Sequence, residues 1–242
     1  MRKKLVDILR NVKAFLIRNF HQYNSKLPYI ITVGVALIIV VGSINVFIEL
    51  TDELQDEMLP QYDQAITDFV ISYRQPLLTK YFIFITNVGD FYGYLIVVAI
   101  STIIAITVFK QWKPVLQTIF VLVVASLSNV MLKRFIDRAR PGIEHLVSVE
   151  TLSYPSGHAM SAMAFYGFII YLFARFKINK YLKTAIIVLL IFIILSIGIS
   201  RIYLGVHYPS DVAGGYIAGF IWVVFCILLF NLVEIFRRDA NT

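Results

Sequence analysis

The chain has 242 residues and a net charge of +7, yet only 15% of them are charged and 59% are hydrophobic. A soluble domain carries roughly a quarter charged residues, so the deficit argues against a water-soluble fold and for a lipid solvent. No Gly/Ser/Pro-rich linker, low-complexity tract or internal repeat divides the sequence, which reads as one membrane-embedded domain over residues 1–242. The single cysteine, Cys226, excludes an intrachain disulfide and reads as a small lipid-buried hydrophobe.

In chain order, residues 1–27 place Leu5, Ile8, Leu9, Val12, Phe15 and Leu16 at helical spacing among Arg2, Lys3, Lys4, Arg10, Lys13 and Arg18. That pattern suits an amphipathic helix on anionic headgroups, and equally a simple cytoplasmic retention signal. A hydrocarbon core of about 30 Å needs roughly 20 apolar residues per helix. Six stretches meet or approach this: 28–48, 91–109, 114–132, 159–176, 184–200 and 212–235. The first is too long and starts too late for a cleaved signal peptide, and reads as an uncleaved anchor. Within the loop 49–90, the apolar run 81–88 is too short to span. With 69–74 it predicts an interfacial or re-entrant helical element before the second span. The expected fold is therefore an all-α bundle of six transmembrane helices.

Orientation follows from charge. With both termini on one side, that side holds 15 of the 22 basic residues against three acidic ones, Asp7, Glu234 and Asp239. The other side holds seven basic and twelve acidic residues. The positive-inside rule then predicts cytoplasmic termini in a cell membrane. The excess of basic residues is thereby explained as topology, with no DNA-binding motif and no nucleic-acid partner expected. No obligate protein partner is evident either. Gly215 and Gly219 permit close helix packing, within the monomer or between copies.

Five basic residues run against this pattern, standing near membrane ends on the acidic side: Lys133, Arg134, Arg138, Arg140 and Arg201. Cations there need another reason. Helix parity brings the end of the third span, the start of the fourth and the end of the fifth to one face. Three polar stretches occupy those places: KRFIDRARP from Lys133, PSGH ending at His158, and SRIYLGVHYPSD ending at Asp211. Lys133, Arg140 and Arg201 supply fixed positive charge, and the guanidiniums can grip phosphate oxygens bidentately. Ser156 and Gly157 offer a hydroxyl, backbone N–H groups and a helix start to an anion. His158 and His207 would flank the phosphate. Asp211, four residues after His207, can accept a hydrogen bond from one imidazole nitrogen and leave the other as a lone pair.

Singly, each stretch has a plainer account. PSGH is often only a turn and helix start, His207 could pack at an interface, Lys133 could snorkel, and His207 with Asp211 could be two metal ligands. Their convergence on one face makes the plain account need several coincidences.

These residues, in this order and spacing, resemble the three-part signature of the type 2 phosphatidic acid phosphatase superfamily: Lys133-x6-Arg140-Pro141, Pro155-Ser156-Gly157-His158 and Ser200-Arg201-x5-His207-x3-Asp211. No signature position departs. Length, basic N-terminal segment and acidic loop are most similar to that superfamily's bacterial phosphatidylglycerophosphatases. The resemblance implies His207 as the nucleophile forming a phosphohistidine, Asp211 as its orienter, and His158 as the acid for the lipid alcohol. It implies Lys133, Arg140, Ser156, Gly157 and Arg201 as phosphate-binding groups, with no metal or other cofactor. The implied substrate is a lipid phosphate, first phosphatidylglycerol phosphate, with undecaprenyl diphosphate and phosphatidic acid as alternatives, and charge with helix parity places it in the outer leaflet. Vanadium haloperoxidases share the signature but are soluble, and inactive lipid-binding relatives typically lose a histidine or the lysine.

Overall fold

A computed structural model describes residues 27–55, 58–108, 110–148 and 152–239, with side chains omitted at 27–30 and 235–239. The amphipathic segment expected over 1–27 lies outside the described residues but for Leu27. Among them are eight α-helices: α1 (Leu27–Asp52), α2 (Met58–Ile71), α3 (Pro76–Val88), α4 (Phe91–Thr107), α5 (Lys113–Ile136), α6 (Gly157–Arg175), α7 (Lys180–Tyr203) and α8 (Pro209–Asp239). The chain divides into two compact units, 1–41 and 42–242. The described part of the first is the helical stretch from Leu27. The second carries the rest.

Among the described residues, five helices are long and apolar enough to cross a membrane, and the pair α3–α4, bent by 62°, makes a sixth crossing if taken as one span. The protein is thus an all-α multi-pass membrane protein. The element expected before the second span is resolved into α2 and α3. Helix α3 begins with Pro76 at its first turn, where a missing N–H costs nothing. Its Phe82 and Ile85 join the core together with Ile194, Ile197 and Tyr203 of α7.

Helix α6 is the centre of the second unit, packed against α5, α7 and α8. Half of its most apolar stretch is buried, against 22% for α5, α7 and α8, so those three are its coat. Small residues make this possible. A Cβ at Gly219 would stand 2.5 Å from the Met160 carbonyl oxygen, and one at Gly215 would stand 2.6 Å from that of Ser156. The Gly215-x3-Gly219 stripe therefore serves packing of α8 on α6 inside the monomer, where bare backbones approach closely.

Candidate active site

Three chain segments meet where α5 ends, α6 begins and α7 passes to α8. Lys133 falls in the last turn of α5, which Asp137 closes in a left-handed conformation at φ 46°. The described residues 138–148 fold over the α7–α8 connection. Leu146 donates its N–H to Leu204 O at 3.0 Å, and Arg74 reaches both Glu144 O and Tyr203 O at 3.1 Å. Gly205 turns that connection at φ +80°, where a Cβ would also stand 2.6 Å from Glu144 O. Ser156 caps α6 and donates its N–H to Asp211 O at 2.9 Å, which locks the start of α6 to the start of α8.

His207 sits in the α7–α8 connection, 2% exposed. Its Nδ1 faces Asp211 Oδ2 at 3.3 Å and Ser153 Oγ at 3.3 Å. Its Nε2 faces Arg140 Nη1 at 3.3 Å. A guanidinium only donates, so this contact requires a lone pair on Nε2 and the proton on Nδ1. Burial pushes the imidazole down to about 4, against the upward pull of Asp211, and Arg201 and Arg140 add to the fall. The side chain is therefore neutral at pH 7.

Asp211 is wholly buried. Besides His207, its Oδ2 accepts from the Tyr208 N–H at 2.8 Å and from the Ser153 hydroxyl, while Oδ1 accepts from Arg138 at 2.5 Å. Burial alone would deprotonate Arg138 more easily, but Asp211 and Asp63 hold it above its ordinary value.

The other cations gather around the same point. Lys133 Nζ donates to Leu152 O at 2.7 Å, and Arg140 donates to Val206 O at 2.5 Å. Arg201, 4% exposed, sends Nη1 to Thr86 Oγ1 of α3 at 2.7 Å. Two buried donors here, Arg201 Nε and Ser156 Oγ, have no hydrogen-bond partner among the described residues. Such groups are costly unless something accepts from them, and an oxyanion with several lone pairs suits both. His158 lies in the electrostatic field of Arg201, His207, Lys133 and Arg140. Gly157 is packed on Asn129 of α5, whose amide donates to Pro155 O at 3.1 Å and holds the loop before α6.

His158, Gly157 and Ser161 also line a cavity of about 610 Å³ between α4 and α5. Its other walls are mainly apolar, including Leu95, Val98, Leu122 and Val130. Such a volume accommodates part of an acyl chain beside the polar end.

All eight residues singled out from the motifs thus belong to one neighbourhood. Four supporting groups were not read from the sequence: Asp63, Thr86, Arg138 and Ser153. Arg138 was visible as a cation on the wrong side. Asp63 and Thr67, four apart on α2, are its buried polar pair, a helical spacing that could have flagged them. Thr86 and Ser153 carry no such signal.

Residues 114–234 match the PAP2 superfamily. The chain is 32% identical to phosphatidylglycerophosphatase B of Bacillus subtilis, over 81% of its own length and 93% of the relative's. It is 34% identical to a lipid A 1-phosphatase of Rhizobium johnstonii over 47% of its length and 49% of that protein's. Among solved structures, it resembles the transmembrane PAP2-type phosphatidylglycerolphosphate phosphatase of Bacillus subtilis with a TM-score of 0.74 and 29% identity, covering 80% of this chain and 96% of that one. The fold also matches Aquifex aeolicus LpxE, TM-score 0.53 at 24% identity, over 68% of this chain and 93% of the other.

The chain belongs to the PAP2 superfamily. It is a membrane phosphatase of the lipid-phosphate type.

Proposed function

We propose that the protein hydrolyses phosphatidylglycerol phosphate to phosphatidylglycerol and phosphate through a phosphohistidine on His207. The observation that carries the mechanism is the two-sided setting of this imidazole. Nδ1 is held by Asp211 at 3.3 Å while the Nε2 lone pair stands among cations, 3.3 Å from Arg140. The phosphoryl oxygens sit among Lys133, Arg140, Arg201 and Ser156, with Gly157 opening the approach at the start of α6. Nε2 attacks phosphorus, the P–O bond to the lipid breaks, and His158 gives its proton to the departing alkoxide. His158 then takes a proton from a water that attacks the phosphohistidine, freeing phosphate and restoring Nε2. Phosphoryl transfer needs mainly positioning and charge neutralisation, which three cationic side chains supply here.

The substrate assignment is supported by the similarity to phosphatidylglycerophosphatase B along most of the chain, and by the apolar cavity at His158. The charge asymmetry of the loops favours a multi-pass protein of a bacterial cell membrane with cytoplasmic termini and the site at the outer face.

Purified protein should release phosphate from phosphatidylglycerol phosphate faster than from phosphatidic acid or undecaprenyl diphosphate, with EDTA without effect. A different lipid leading the series would replace the substrate, and strict EDTA sensitivity would replace the mechanism. In intact cells, an impermeant thiol reagent should label Glu144→Cys and miss Lys180→Cys until the membrane is opened. The reverse pattern would turn the site to the cytoplasm.

A further inference from the structure

Arg138 occupies a position between the signature residues and has no part in phosphate binding as described above. Its side chain is 14% exposed and stands between two buried carboxylates. Nη1 donates to Asp211 Oδ1 at 2.5 Å and to Ser210 Oγ at 2.7 Å, and Nη2 donates to Asp63 Oδ2 at 2.7 Å. The Tyr208 ring covers the guanidinium at 4.5 Å. Asp63 comes from α2, far away in sequence, and is 2% exposed. It is fastened to the start of α8 by the Ser210 N–H at 2.9 Å and the Ser210 hydroxyl at 2.5 Å.

A buried guanidinium facing a single carboxylate would place its whole charge on that carboxylate. Asp211 would then be drawn toward Arg138 and away from the imidazole it must orient. A second carboxylate on the other prong shares the charge and fixes the plane of the fork. Asp211 can then give Oδ1 to Arg138 and keep Oδ2 for His207, the division seen here. The backbone serves the same end, since Arg138 O accepts the Ser153 N–H at 2.9 Å and the Ser153 hydroxyl donates to Asp211 Oδ2.

We propose that Asp63 and Arg138 are positioning residues for the nucleophile: Asp63, carried by α2, anchors Arg138, which aligns Asp211 and through it His207. This rests on the reading of His207 as nucleophile. Both side chains are engaged with Asp211, Ser210 and each other and not with the groups read as holding the phosphate, so their effect falls on turnover. It also makes the seating of α2 a condition of catalysis.

The test uses full-length protein in mixed micelles, with phosphatidic acid as assay lipid and rates expressed per folded molecule. Asp63→Asn keeps the size of the side chain and removes the charge. It should lower kcat about 10–100-fold and move KM less than about twofold. Arg138→Gln should lose at least as much. The double variant should be no worse than about twofold below Arg138→Gln, because residues acting in one chain are non-additive. Nitrogen NMR of the histidines should show His207 as a single Nδ1–H tautomer in the native protein and as a tautomer mixture in Asp63→Asn. A purely structural role would reduce folded yield with kcat per folded molecule and the tautomer unchanged, which overturns the proposal. So would losses that multiply in the double variant. Should Asp63→Asn not fold, Asp63→Glu, which keeps the charge on a longer arm, must show a several-fold loss of kcat, and full activity there would overturn the proposal equally. His207→Ala separates the two layers: turnover persisting in that variant removes the nucleophile reading itself, whatever Asp63 does.

Discussion

The two ends of the helix bundle carry similar residue types under opposite conditions. At one end, Arg138 stands between Asp63 and Asp211 at 2.7 and 2.5 Å, with both carboxylates almost fully buried. At the other, Lys113 meets Glu234 at 3.6 Å with 53% and 38% of their side chains exposed. Nearby, Arg175 lies over the Tyr171 ring, 5.4 Å from its centre. An exposed pair is screened and is worth about 0–1 kcal/mol. Removing one partner of a buried pair leaves an uncompensated charge and costs roughly 3–5 kcal/mol. Charge at the first end is thus held in place by its surroundings. At the second it marks where the chain leaves the lipid. The same residue types are buried and mutually paired in one place and exposed in the other.

The largest effect is expected at His207: replacing it by alanine should reduce turnover by about 10⁴-fold or more with membrane insertion intact. Turnover near the native rate would sink the mechanism. His158→Ala should cost about 10²–10⁴-fold on a lipid alcohol, in line with the loss of a general acid. The deficit should shrink sharply on an aryl phosphate, whose leaving group needs no proton. An equal deficit on both would remove His158 from the protonation step.

Burial lowers the pKa of His207 to about 4, below its unfolded value of about 6.5. The unfolded chain therefore binds a proton that the folded one refuses. The stability this group contributes is complete above pH 6.5 and is lost as pH falls toward 4. NMR titration of the substrate-free protein should find a midpoint near 4 for His207, and a lower one in Asp211→Asn, since the carboxylate favours the cation. A midpoint at or above 6.5 would mean that the site is wetter than described. Asp211→Asn should also cut kcat by orders of magnitude with little change in binding.

Smaller effects belong to packing and to the far end. Gly219→Val should destabilise the protein by about 1–3 kcal/mol, because its Cβ would meet backbone oxygen of α6 at 2.5 Å. Thermal unfolding would register this, and no shift would mean that α6 and α8 have room to part. Lys113→Met should leave kcat unchanged and alter stability by less than about 0.5 kcal/mol. A large loss there would erase the distinction between the two ends.

Sequence alone determined the solvent of this protein, the spans beginning near 28, 114, 159, 184 and 212, and the gathering of Lys133, Arg140, Ser156, Gly157, His158, Arg201, His207 and Asp211. Each follows from a local rule: length of apolar run, sidedness by parity, spacing within a motif. The span beginning at Phe91 was legible only in part, because α4 is a 17-residue helix whose crossing depends on a 62° bend from α3. No periodicity encodes a bend. The tertiary structure alone decided that α3 enters the core, that Thr86 supports Arg201, and that Gly215 and Gly219 face α6. It likewise brought Asp63 to Arg138 across 75 residues of chain. Such pairings arise because a buried charge must find a partner wherever the packed helices present one, and the chain distance between partners leaves no local trace.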